Sequence, residues 1–454
     1  METSDPHFFF FFLLSLSTIL LSLINSTSAS FTPVDNYLIN CGSNTNTSTD
    51  TRLFLADSTK PGSNFLSPPP QKSISLLKNQ NPPDLGSDSS SLLYLTARVF
   101  TSVSSFTFPI HGVGALYIVR LHFSPFCSSY FNLSSAHFDV SINGFKLLKN
   151  FSCGALVLKE YIVKMDKNFV KMEFSPATAG GSRPSFAFVN AVEVFSAPGN
   201  LFTGDGATLV GPADGVTPEK YRKVLETIHR VNVGGPKITP YNDTLWRTWV
   251  PDENFLVLKS AAKSVTLTHF PHYWKGGPTR EIAPDYVYMT AQQMNKGSLM
   301  NSWFNISWDF PMGSSNNYNC HHLIRLHFCD IVSRSLDLLV FNVFINGYLA
   351  YEDLDLTLLT GTHIIASPYY MDFVVGSSCR LGVLRVSIGP SNLTLSKPYL
   401  RNAILNGVEI MNIMELENSK SIVASEQKNW VMVALSTILL MMHMHMHIDL
   451  RFVC

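Results

Sequence analysis

Two close pairs of carboxylates stand out in this 454-residue chain: Asp252 with Glu253, and Asp353 with Asp355. Paired acids held at a fixed separation across a cleft are the apparatus of glycoside hydrolysis. Proximity along a chain does not set such a separation, and no G-x-S-x-G turn or comparable nucleophile signature accompanies them. A Gly-rich phosphate loop and the V-A-I-K, H-R-D and D-F-G motifs of phosphoryl transfer do not occur either. The chain is therefore expected to be non-catalytic and to need no cofactor.

Binding chemistry is better represented. Sugars are held by aromatic faces and a few polar groups in a concave surface. Aromatic residues concentrate in Trp246–Trp249, in His269–Trp274 (HFPHYW) and in Trp303–Trp308. HFPHYW lies in a Pro/Gly-rich stretch and reads as a loop. His269, Phe270, His272, Tyr273 and Trp274 are thus the candidate ligand-binding residues, with packing between domains or beneath a glycan at Asn305 as the competing reading. Trp246 and Trp249 read as packing residues. Arg120-x-His122 and Arg325-x-His327 place an arginine and a histidine on one strand face. A strand arginine paired to a carboxylate explains them better than a binding strip does. Charged residues make up 15% of the chain and the formal net charge is +0, which argues against a nucleic-acid partner.

Other residues report on compartment. Sequons at Asn46, Asn132, Asn150, Asn242, Asn305 and Asn392 can carry glycans only in the secretory lumen. Of the 7 Cys, Cys454 sits in the tail. The rest divide into Cys41, Cys127 and Cys153, then Cys320, Cys329 and Cys379. Either each trio forms one bridge with a spare thiol, or a bridge joins the halves; sequence does not choose. No C-x-x-C pair suggests a metal, and His443, His445 and His447 read as an incidental tail rather than a copper or nickel site.

The elements that must position these residues are strands. Tyr117, Val119, Leu121 and Phe123 alternate with Ile118, Arg120 and His122, the period-two mark of a half-buried strand. Phe138, Val140 and Ile142 lead into Asn143-Gly144, and Phe341, Val343 and Ile345 into Asn346-Gly347. Asn-Gly suits the positive φ of a two-residue hairpin turn. Phe186–Phe195 and Leu381–Ile388 read as core strands. The order recurs: YIVRLHFSPF (Tyr117 to Phe126) returns as HLIRLHFCDI (His322 to Ile331), FDVSINGFKL (Phe138 to Leu147) as FNVFINGYLA (Phe341 to Ala350), and NAVEVF (Asn190 to Phe195) as NGVEIM (Asn406 to Met411). YLINCGS (Tyr37 to Ser43) against HRVNVGG (His229 to Gly235) is a fourth, weaker match. A unit recurring after roughly two hundred residues is a duplicated domain, not a solenoid repeat.

Phe8–Ile24 is an apolar run ending near Ser28-Ala29-Ser30, as in a cleaved signal peptide, although no Lys or Arg precedes it. Thr217-Pro218 opens a short helix reaching about Ile228. Trp430–Met442 is apolar and, continued to Ile448, forms a candidate transmembrane segment; a lipid-anchor signal and a degraded coding end are the alternatives.

With these motifs in place the chain resembles the extracellular region of plant malectin-like receptor kinases of the FERONIA/THESEUS type. The resemblance rests on FTPVDNYLINCGS (Phe31 to Ser43), FVNAVEVFSAP (Phe188 to Pro198), ETIHRVNVGGPKITPYNDTLWRTWVPD (Glu226 to Asp252), IAPDYVYMTAQ (Ile282 to Gln292), RLHFCDIVS (Arg325 to Ser333) and NAILNGVEIM (Asn402 to Met411). It implies an all-β fold of two tandem malectin-like antiparallel β-sandwiches, jelly-roll-like. Residues 1–30 would be the signal peptide, 31–197 and 225–415 the two domains, and 198–224 the linker. Residues 416–429 would form a juxtamembrane stalk, 430–448 the span and 449–454 a tail. The resemblance further implies an extracellular ligand-binding region at the plant cell surface, sensing cell-wall polysaccharide or a secreted cysteine-rich peptide, with a lipid-anchored co-receptor as a further partner. A secreted carbohydrate-binding protein without an anchor is the alternative. The family's kinase domain has no counterpart motif in this chain.

Overall fold

The computed structural model describes residues 31–414 apart from 70–72, 79–88, 178–184, 203–205, 212–223, 296–303, 314–320, 377–381 and 396–399. The expected signal peptide, stalk, span and tail lie outside the described residues, as do Trp303, Cys320, Cys379 and Cys454. No helix among the described residues is long and apolar enough to cross a membrane.

A 12-stranded sheet is the backbone of the molecule. Its centre is formed by Val157–Lys164 of the first half and Val224–Asn232 of the second, paired antiparallel with Tyr161 opposite Glu226. On one side follow Leu116–Phe123, Ala191–Ser196 and Asn36–Asn40; on the other follow Gly407–Ile413, His321–Phe328 and Tyr369–Gly376. A 5-stranded sheet covers the first half and a 4-stranded sheet the second.

Each half thus closes a sandwich with its own core. Val119, Leu121, Phe123, Val192 and Val194 face Phe106, Phe108, Val140, Met172 and Phe174 in the first. Ile324, Leu326, Phe328 and Val408 face Trp308, Phe310, Phe341, Val343 and Val386 in the second. The fold is all-β and built of two tandem antiparallel sandwiches, as expected.

The duplication holds at atomic level. Asn143 and Gly144 have φ of 49° and 89°, Asn346 and Gly347 51° and 82°, so both hairpins carry two residues of positive φ. Each turn is latched alike. The Asn143 amide donates to the Lys171 carbonyl and its side-chain oxygen accepts from the Lys171 amide, both at 2.8 Å. Asn346 does the same with Arg385. The weakest sequence match is matched structurally too. Gly42 and Gly234 both have positive φ, and an added Cβ would sit 2.3 Å from the Ala97 carbonyl oxygen and 2.1 Å from that of Ala291. No other residue type fits there.

Four readings are revised. Val224–Asn232 is a strand, not the end of a helix; flanked by two antiparallel partners, it satisfies its backbone through ladders instead. Phe186–Phe195 is two strands broken at Asn190. The Asn190 side chain accepts from the Ser124 amide and donates to the Thr96 carbonyl, so the chain changes sheet there. Asn406 repeats the corner with Cys329 and Thr290. Leu116–Phe123 is buried on both faces from Tyr117 onward, not half-buried. Finally, Cys41, Cys127, Cys153 and Cys329 are free thiols. The first trio therefore contains no bridge: Cys41 and Cys153 are buried, and Cys127 is exposed beside Asn132.

Thr208–Val210, within the segment expected to be linker, joins the large sheet in parallel with Tyr369–Gly376.

Candidate functional site

Burial of the outer polar face of the large sheet is explained by a ladder of charges. In sheet order Asp372, Arg325, Glu409, Arg230, Glu160, Arg120, Glu193 and Arg52 alternate in sign. Arg325 Nε lies 2.7 Å from Asp372 and Arg230 Nε 2.8 Å from Glu409. Arg230 reaches Glu160 across the junction of the halves at 2.6 Å. Arg120 bridges Glu160 at 2.7 Å and Glu193 at 3.0 Å, and Arg52 closes on Glu193 at 2.6 Å. His122 and His327 contact Glu193 and Glu409, backed by Tyr94 and Tyr288 respectively.

Burial by itself would raise the Glu160 carboxyl; Arg230 and Arg120 outweigh it and hold it at about 2. Glu409 and Glu193 likewise lie well below the usual carboxylate range. Burial holds His327 below the usual imidazole range despite Glu409.

Each half covers the other's ladder. Arg120 donates to the Leu245 carbonyl of the second half, and Arg52 packs 5.0 Å from the Trp246 ring. Arg325 donates to the Leu201 carbonyl from the first side and stacks on Phe202 at 4.4 Å. Asp243 anchors the covering loop by accepting from the Trp249 indole, the Arg247 guanidinium and the Leu245 amide. The arginines, Trp246 and Trp249 are thus structural, as their sequence context suggested. So are Asp252, Asp353 and Asp355, whereas Glu253 is exposed. Asp252 is buried and accepts from the Gly234 amide and the Trp308 indole. Asp353 accepts from the Ser391 hydroxyl, and Asp355 caps the helix Leu356–Thr360.

The HFPHYW segment divides into an anchor and a surface. Tyr273 donates to Asp285 at 2.7 Å and lies under Arg280; burial, then Asp285, pushes its hydroxyl far above the usual phenol range, so it stays a donor. The Trp274 indole donates to the Pro368 carbonyl at 3.0 Å, and its ring packs on Gly277. These two residues fasten the loop. His269, Phe270 and His272 are exposed, Phe270 by 64%. His269 and His272 have ring centroids 5.5 Å apart.

Both histidines line an open cleft of about 760 Å³ whose other walls are the 331–336 and 363–366 segments. Ile331, Leu267 and Ile365 give it an apolar floor; His363, Ser333 and Ser335 add polar groups. The walls are stitched by their own backbone, with the His272 amide on the Ala366 carbonyl and the Ala366 amide on the Asp330 carbonyl. Sequence reasoning placed Ile331 in a repeated motif and Ser333 in a family motif but missed their role here. His363 carried no signal, for it stands alone in a loop. No group of three or more potential ligands among the described residues is arranged to hold a metal.

All six sequon asparagines are exposed. The Asn305 side chain lies against Gly389, and Asn132 caps a short helix.

Two sandwiches share one sheet, Asp252, Asp353 and Asp355 are engaged in structure, and an open cleft on one half is the candidate binding site. Comparison with known proteins makes this specific. The malectin-like domain family matches residues 39–413, and the chain belongs to it. A probable receptor-like protein kinase of Arabidopsis thaliana, At5g24010, is 50% identical over 90% of this chain and 48% of its own length. The receptor-like protein kinase THESEUS 1 of the same plant is 38% identical over 88% of this chain and 44% of its own. The chain spans about half the length of these relatives. Among solved structures, the extracellular domain of ANXUR1 from Arabidopsis thaliana matches with a TM-score of 0.72 and 27% identity, over 85% of this chain and 98% of that one. A structure of the plant peptide RALF23 in complex with FER and LLG2 matches with a TM-score of 0.68 and 29% identity, over 84% of this chain and 96% of that one. The relatives are FERONIA/THESEUS-type receptor-like kinases, and what this chain shares with them is the malectin-like ectodomain.

Proposed function

We propose that this chain is the extracellular ligand-binding region of a receptor-like protein at the plant cell surface. It enters the secretory pathway through residues 1–30, carries glycans at Asn46, Asn132, Asn150, Asn242, Asn305 and Asn392, and is held at the plasma membrane by residues 430–448. Its ligand is a cell-wall carbohydrate or a secreted signalling peptide. The observation that carries this reading is the cleft. Its polar side chains remain open to solvent, as does the Phe270 ring in the loop that carries His269, whereas Trp246, Trp249, Trp308, Asp252, Asp353 and Asp355 are taken up in packing or hydrogen bonds. A cleft of this size, apolar below and sparsely polar above, suits a sugar chain or a short peptide segment. The match to a RALF23–FER–LLG2 complex supports a peptide ligand and a co-receptor as partners.

The test is direct binding of the full secreted chain to arrays of wall oligosaccharides and cysteine-rich peptides. Phe270→Ala with His269→Ala should weaken the ligand found about tenfold or more, the loss of one aromatic contact worth at least about 1.4 kcal/mol. Undiminished binding by that variant would remove the cleft from the reading. Recovery of all the protein in detergent-free apoplastic fluid would favour the secreted, unanchored alternative.

A further inference from the structure

We propose that the seam between the two halves binds an apolar monocarboxylate, an alkyl acid whose chain lies across both sandwiches and whose head group meets Lys164. This site is separate from the cleft, and no residue lines both.

The outer face of the large sheet carries charge along the ladder, and the row beside the ladder is apolar. In sheet order Val374, Leu323, Met411, Leu225, Ile162 and Ile118 lie on six neighbouring strands, the last two in the first half and the others in the second. Ile118 stands two residues from Arg120, Ile162 from Glu160, Met411 from Glu409, Leu323 from Arg325 and Val374 from Asp372. The period of a strand therefore puts them on the ladder's own face. Ile162 pairs with Leu225 in register across the junction. All six are buried and form one apolar cluster.

Packing over this row is incomplete. A cavity of about 400 Å³ lies against Ile162, Leu225 and Leu323, walled by Leu116 and by the crossing segment at Ala197 and Phe202. Protein interiors tolerate few voids larger than a water molecule, and this one has the volume of a small-molecule site. Small residues hold it open: a Cβ added at Gly199 or Gly206, both in its lining, would meet no atom within 4 Å.

The lining fixes the chemistry of the occupant. No hydroxyl or amide side chain is among the lining residues, and the charged ones are Lys164 and Asp372. Asp372 is committed, its two oxygens accepting from Arg325 at 2.7 and 2.8 Å. Lys164 is exposed at the end of Val157–Lys164, and its ammonium makes no ion pair or hydrogen bond among the described residues. A sugar or a peptide would bury hydroxyls or amides there without partners, which is unfavourable. An alkyl chain has only water to lose, and a single carboxylate answers the single uncommitted cation.

The probes are decanoate, 1-decanol and decyltrimethylammonium, titrated calorimetrically into the full secreted chain at about pH 7, where lysine is charged and the acid ionised. Decanoate is expected to bind at least about tenfold tighter than either of the others. It should also raise the thermal midpoint, because a ligand held by both halves is released on unfolding. Lys164→Gln should bring decanoate to the level of decanol; the side chain is exposed, so the fold survives the change. Gly199→Phe, at a position without positive φ, should weaken all three probes at least about tenfold by filling the cavity. His269→Ala with Phe270→Ala, in the cleft, should change nothing. Absence of decanoate binding, equal affinity of the three probes, a preference that survives Lys164→Gln, or unaltered binding by Gly199→Phe would each overturn the inference. Loss of decanoate binding in the cleft variant would assign the acid to the cleft and overturn it likewise.

Discussion

At the scale of single residues, the strongest determinants are charges buried where water cannot reach. Removing one partner of such a pair strands the other, which costs roughly 3–5 kcal/mol. Glu160→Gln should destabilise the chain toward the lower end of that range in denaturant titration, because Arg120 and Arg230 each lose one of their two carboxylate partners while Glu193 and Glu409 remain. Arg385→Ala is the contrast. Its pair with Asp309 is half exposed, and the expected cost is below about 1 kcal/mol. A pH dependence follows from the same carboxylates. Folding lowers their pKa, so their contribution is complete above the unfolded value of about 4.5 and is lost as pH falls toward about 2 for Glu160. Thermal midpoints measured from pH 6 to pH 2.5 should be flat at first and then fall steeply below about pH 4.5. A midpoint insensitive to acid would contradict the ladder.

At the scale of elements, glycines and asparagines decide where strands turn and change sheet. Gly347→Ala keeps open space around the new methyl but places it at a φ of 82°, so the expected cost is about 1–2 kcal/mol. Gly234→Ala meets the Ala291 backbone carbonyl as well and should cost clearly more, enough to abolish secretion of folded protein. Comparable yields for the two variants would show that the second strand corner yields more readily than its contacts indicate. Trp249→Phe keeps the ring but deletes the indole donor to Asp243. Leaving that buried acceptor short should cost about 1–3 kcal/mol, read as a lowered denaturation midpoint.

At the scale of the whole molecule, the two sandwiches share a sheet, a charge ladder and a reciprocal cover. Duplicated domains joined by a flexible linker would unfold separately; here neither half can expose its polar face without stranding buried arginines. Calorimetry of the chain should show one transition, with calorimetric and van't Hoff enthalpies in agreement. Two resolved transitions would mean that the junction is weaker than its ion pairs. A fragment ending near residue 197 is expected to be insoluble, since it would bare Arg120, Glu160 and the edge of Val157–Lys164.

Much of this was legible beforehand, and the reason is local physics. Period-two alternation, Asn-Gly turns and the recurrence of long motifs are properties of consecutive residues, so strand identity, hairpin geometry and the duplication were determined by the sequence alone. The last turn of the expected helix, Val224 to Ile228, and the half-buried strand at Tyr117 failed for a complementary reason. Whether Val224–Asn232 extends, or whether Arg120 and His122 see water, depends on partners far along the chain, Gly407–Ile413 in one case and Leu245 in the other. The cleft shows the same division. His269 to Trp274 announced an aromatic loop, but only the tertiary structure turned Tyr273 and Trp274 inward, left His269 and His272 outward, and brought His363 beside them from a segment without a motif of its own. Sequence records what each residue prefers; which preferences are satisfied by burial and which stay free for a ligand is settled by contacts that only the closed fold supplies.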